Sequence, residues 1–97
     1  MSRVLVIRPK AEAQAASARD WYDDQLPGLG DDFIDRLDEA IPKAHANPLH
    51  YQKVLHEIRR VLLRRFPFAV FFVAEPQRVV VLAVLHQTDN PSQWNNL

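Results

Sequence analysis

FPFAVFFVAEPQRVVVLAVLH, residues 66–86, decides the fold of this chain. Phe66 to Val73 is aromatic and apolar, Glu75-Pro76-Gln77 has the composition of a turn, and Val79 to Leu85 is apolar without interruption. A seven-residue run with no polar break suits a central strand covered on both faces better than an edge strand. The short turn makes the two strands antiparallel neighbours. Immediately upstream, Val54 to Arg65 mixes β-branched and basic residues and reads as a third strand, completing a meander.

Moving further upstream, the pattern changes to helix. Pro9 suits a first helical turn, where its missing N–H costs nothing. Ala11, Ala15, Ala18 and Tyr22 then recur at helical spacing, giving a face of small residues that permits close approach. Leu26-Pro27-Gly28 ends this helix. A second one starts between Gly28 and Asp31, with Asp31 and Asp32 at the positive end of its dipole. Leu29, Phe33, Ile34, Leu37 and Ile41 form its apolar stripe. Pro42 predicts a kink or an early end, followed by a further turn to about Ala46, and Asn47-Pro48 closes the helical hairpin. Val4 to Ile7 is a short strand able to join the sheet. The order is β-α-α-β-β-β, an α+β domain over residues 1–97 with the helices on one face of one mainly antiparallel sheet.

Composition limits what such a domain can do. With 97 residues there is room for one core and not for a deep enzyme cleft. Apolar and charged shares of 47% and 25% exclude a disordered chain. There is no cysteine, so disulfides and thiolate metal sites are excluded. The apolar run from Val4 to Ile7 is too short for a signal peptide or a membrane span, which makes the cytoplasm the expected address, with no membrane partner. The zero net charge conceals a division. Residues 11–40 hold nine acids against two arginines, whereas residues 41–97 hold seven cations against three acids. One acidic and one basic face follow, and the basic one suits an anionic partner.

The common catalytic signatures are missing. Gly28 and Gly30 do not make a phosphate-cradling loop, and neither Ser17 nor Ser92 occupies a nucleophile elbow. Asp31, Asp35 and Asp38 share a helix face that reads as solvated, and no histidine has zinc-ligand spacing; no metal or cofactor is expected. Arg59, Arg60, Arg64 and Arg65 are the strongest unexplained feature. Strand alternation sends Arg59 and Arg65 to one side and Arg60 and Arg64 to the other. Arginine grips phosphate or carboxylate bidentately, so a nucleic acid and an acidic protein both remain candidate partners. His86 ends the apolar strand, where an imidazole can change charge near neutral pH. Trp21-Tyr22 and Phe71-Phe72 are expected in the core, and Trp94 in the tail is a candidate partner contact.

These residues resemble a known family. Trp21-Tyr22, Gln25, Leu26-Pro27-Gly28-Leu29-Gly30 and Phe33 look like the WYxxQxPGLGxxF pattern of many RelE/ParE-type toxins. Arg59-Arg60, Arg65-Phe66-Pro67-Phe68, the strand from Val79 to His86 and the closing Pro91 and Trp94 follow in the family's order. The resemblance covers nearly the whole chain. It implies the toxin of a type II toxin–antitoxin pair, often called a plasmid stabilisation protein. Such a toxin inhibits growth and is silenced by a cognate antitoxin in a hetero-oligomer. RelE-like members cut messenger RNA on the ribosome; ParE-like members bind DNA gyrase and are not nucleases.

Arg59 matches the arginine that commonly precedes the FPY-like motif, and His86 matches the histidine ending the last strand; these are the candidates if the chain is a nuclease. Many relatives continue H-x-x-R-D-P, whereas here Asp89 stands at the arginine position and no tyrosine follows His86. An anion there hinders binding of a scissile phosphate. The resemblance therefore implies a ParE-like protein-binding toxin whose target surface includes Arg59, Arg60, Arg64, Arg65, His86 and Trp94. The alternatives are a ribosome-dependent messenger-RNA endonuclease and a non-toxic domain that only binds antitoxin.

Overall fold

The structure, a computed structural model, describes residues 3–89. Strand β1 (Val4–Ile7) leads into helices α1 (Pro9–Gln25) and α2 (Leu29–Ala46). A single 3-10 turn (Pro48–His50) precedes four strands: β2 (Lys53–Leu55), β3 (Ile58–Leu62), β4 (Phe68–Glu75) and β5 (Arg78–His86). The sheet order is β1-β5-β4-β3-β2, with β1 parallel to β5 and every other pair antiparallel. Two helices on one mixed sheet is the α+β class expected from the sequence. The uninterrupted apolar run is indeed internal: β5 lies between β1 and β4, and Val79 to Val84 are all buried.

Four local expectations need correction. The stretch from Val54 to Arg65 is not one strand but a hairpin, β2–β3, turning at His56, whose φ of 50° is a left-handed conformation that histidine tolerates better than a β-branched residue does. Strand β3 then stops at Leu62. Arg64 and Arg65 lie in the loop to β4, Arg65 with φ 69°, so strand alternation does not govern them. The early end allowed for at Pro42 does not occur, and α2 runs through it to Ala46, the end expected. Pro42 and Asp38 are both exposed, so water can reach the carbonyl that loses its amide partner. Trp21, expected in the core, is 59% exposed; the helix turns Tyr22 inward instead.

The helical hairpin owes its geometry to the LPGLG segment. Gly28 has φ 92°, a conformation open to glycine at little cost. A Cβ at Gly30 would stand 2.7 Å from the Arg19 carbonyl oxygen, so only glycine lets α2 cross α1 this closely. Asp23 Oδ1 accepts the Gly28 and Gly30 amides at 3.0 and 3.2 Å, satisfying two donors at the α2 start. The small face of α1 (Ala11, Ala15, Ala18) and the α2 stripe (Phe33, Leu37, Ile41) then close on Val61, Val70, Phe72, Val79, Val81 and Val84.

The other face of the sheet carries a second buried cluster of Ala69, Phe71, Val80, Leu82 and Ala83. Strand alternation supplies most of it, and a β-bulge adds Ala83. Phe71 pairs with Ala83 and Phe72 with Val81, so Leu82 is the additional residue and points to the same face as Ala83. Among the described residues no helix is long and apolar enough to cross a membrane.

Candidate functional surface

An aromatic cluster organises one end of the sheet. Tyr22 stacks on Phe33 at 5.4 Å and meets Phe66 edge-on at 4.9 Å, while Phe33 touches Phe68 at 5.2 Å. Phe68 in turn contacts the His86 ring edge-on at 5.5 Å. Burial among these rings raises the Tyr22 phenol above its ordinary value, because the phenolate is the poorer tenant of an apolar site. The cluster thus joins α1, α2, the loop at residues 63–67 and the end of β5 in one packed unit.

That unit sets the positions of three of the predicted residues. Arg64 reaches Glu39 on α2 at 3.2 Å, and Arg36 reaches the same carboxylate at 3.5 Å. Arg65 borders a small cavity with Tyr22, Leu29, Asp32, Arg36 and Phe66. The loop is tied to the His86 turn by a hydrogen bond of 2.9 Å from the Gln87 amide to the Pro67 carbonyl. Arg64, Arg65 and His86 therefore share one end of the molecule.

His86 is held by its own turn. Its Nδ1 accepts the Thr88 amide at 3.2 Å, and the Thr88 hydroxyl lies 2.8 Å from the same nitrogen. A backbone N–H can only donate, so Nδ1 is the acceptor and the neutral ring carries its proton on Nε2. Asp89, at the position where many relatives have arginine, turns its carboxylate back to accept the His86 amide at 3.1 Å. It thereby stabilises the turn and places a negative charge at the His86 backbone.

The remaining arginines lie elsewhere. Arg59 pairs with Phe72, and its guanidinium donates to the Tyr51 carbonyl at 2.6 Å, bracing the segment that enters β2. Arg60 pairs with Phe71 and belongs to the opposite face of the sheet. Since His86 pairs with Phe68, Arg59 and His86 are four β4 residues and two strand spacings apart. At ~3.3 Å per residue and ~4.8 Å per strand, their Cα atoms stand about 16 Å from each other. Trp94 lies outside the described residues.

Two contributors escaped the sequence reading. Gln14 Oε1 accepts the Val84 amide at 2.8 Å, where β1 has ended and β5 has an open edge. A signal existed: Gln14 is three residues after Ala11 and four before Ala18, on the buried face of an otherwise small-residue helix. Asp23 could be found only by knowing that two glycine amides converge on it. Asp31, Asp35 and Asp38 are exposed, and among the described residues no three His, Asp or Glu side chains form a metal-binding group.

The fold has known counterparts. A chain of the chromosomal ParDE TA system from P. aeruginosa superimposes with a TM-score of 0.79, covering 88% of this chain and 96% of that one at 17% identity. At that identity the likeness speaks for the fold alone. The chain matches none of the curated proteins. The family model for the ParE toxin of the type II toxin-antitoxin system parDE matches residues 5–91, which takes in the helical hairpin and, apart from Val4, all five strands; the chain belongs to the ParE toxin family.

Proposed function

We propose that this ParE-family chain inhibits bacterial growth in the cytoplasm by binding a protein target, DNA gyrase, and that a cognate antitoxin neutralises it. The observation that carries this reading is the separation of Arg59 from His86. A ribonuclease needs its phosphate-binding cation and its general acid or base within reach of one scissile bond. Here the Arg59 guanidinium is committed to the Tyr51 carbonyl. Near His86 the adjacent side chain is the Asp89 carboxylate, which repels a phosphodiester. The same surface suits a protein. Arg64 and Arg65 stand at its edge, and Trp21 and Leu26, each 59% exposed, offer apolar contact near the C-terminal end of α1. An antitoxin partner is supported by the P. aeruginosa counterpart, which comes from a ParDE TA system.

The test is expression of the chain alone in bacteria, following DNA-break signalling and protein synthesis through the first minutes. Early DNA damage with translation intact is expected. Early loss of translation with cleaved messages and undamaged DNA would establish the messenger-RNA endonuclease instead. Growth without arrest would leave a domain that only binds antitoxin. Rescue by a small neighbouring reading frame tests neutralisation.

A further inference from the structure

A groove runs between α1 and the end of β5, where β5 continues past the last β1 pairing at Val81. Two hydrogen bonds fix what this groove presents. Gln14 gives its Oε1 to the Val84 amide, so the free end of its side chain is the NH₂ group. His86 gives its Nδ1 to the Thr88 amide, so its free end is Nε2–H. Both border the same groove as Lys10 and Ser17, whose side chains make no hydrogen bond or ion pair with the other described residues. Residues bearing an ammonium, an amide NH₂, an imidazole N–H and a hydroxyl thus line one open, mainly apolar groove. Asp89 at its end supplies the opposing charge.

We infer that this groove binds an acidic side chain of an extended peptide, the carboxylate lying among Lys10, Gln14 and His86. A set of free ends that are mainly donors selects a ligand rich in acceptor oxygens, and one ammonium balances one carboxylate. Asp89 decides between the classes that satisfy this. A nucleic-acid strand carries a phosphate on every nucleotide and must set one against Asp89. A peptide carries its single charge toward Lys10 and offers backbone N–H groups to Asp89, while its apolar side chains lie on Ala13 and Phe68. The inference rests on the reading that this chain works by binding protein, and it names the chemistry of the recognised segment.

The experiment is an NMR titration of the full chain with acetyl-AVEVA-amide, acetyl-AVQVA-amide and inorganic phosphate, observing the Gln14 side-chain NH₂ and the His86 ring. The glutamate peptide should shift both saturably, and the glutamine peptide should bind at least fivefold more weakly. Gln14→Glu keeps an acceptor for the Val84 amide but turns the free end negative, and should weaken the glutamate peptide about tenfold. Lys10→Gln, at an exposed position, should weaken it at least threefold with an unchanged melting temperature. Equal binding of the two peptides, no effect of either substitution, or equally strong shifts with phosphate alone would overturn the assignment. Such a failure with gyrase inhibition intact would remove the groove only; peptide binding without gyrase inhibition would remove the target only.

Discussion

Replacing Arg59 with alanine separates a bracing role from a contact role. The substitution removes the 2.6 Å bond to the Tyr51 carbonyl and the guanidinium stem beside Phe72. A hydrogen bond from a charged donor contributes ~1.5–3 kcal/mol when its partner is left buried. Tyr51 and Arg59 are only half-buried, so water recovers part of this loss. About 1–2 kcal/mol remains, and at ~4–8 °C per kcal/mol for a domain of this size the Tm should fall by about 4–16 °C. Thermal unfolding followed by circular dichroism measures it. Growth arrest should weaken in proportion to the folded fraction and return at lower temperature. A variant with unchanged Tm and abolished arrest would refute the bracing role and place Arg59 in the contact surface.

Gly30→Ala forces a Cβ to 2.7 Å from the Arg19 carbonyl, against backbone that cannot rotate away; overpacking of this kind costs ~1–3 kcal/mol, so a Tm within 2 °C of the parent (a criterion set from ~4–8 °C per kcal/mol) would show that the hairpin spacing is wrong. Tyr22 gives a pH dependence. Its folded pKa is raised by burial, so above about pH 10 the unfolded chain loses its phenolic proton first, and stability falls as pH rises toward the folded value. Denaturant midpoints measured across that range should decline for the parent and decline less for Tyr22→Phe; equal slopes would contradict the burial of this phenol.

The sheet and the helical hairpin were legible because their signals are local and repeated. The run from Val79 to Leu85 has no polar break, and Ala11, Ala15 and Ala18 mark one face of α1. The β2–β3 hairpin was not, since it turns at His56-Glu57 with neither glycine nor proline to announce it. The same omission misplaced Arg64 and Arg65, because alternation was carried past Leu62, where the strand had ended. At the candidate surface, the arginines and His86 could be found by residue type. Their grouping could not, because the β3–β4–β5 register that separates Arg59 from His86 is a long-range property. The PGLG motif was recognised by resemblance, and the structure supplies its cause in the positive φ of Gly28 and the close approach at Gly30.

The most direct measurement adds the purified chain to purified DNA gyrase, supercoiled plasmid and ATP, with a parallel ribosome-bound message. Accumulation of gyrase-linked DNA breaks with the message intact is predicted, and release of gyrase on adding the antitoxin should follow. Cleavage of the message with gyrase turnover unaffected would contradict the protein-binding reading.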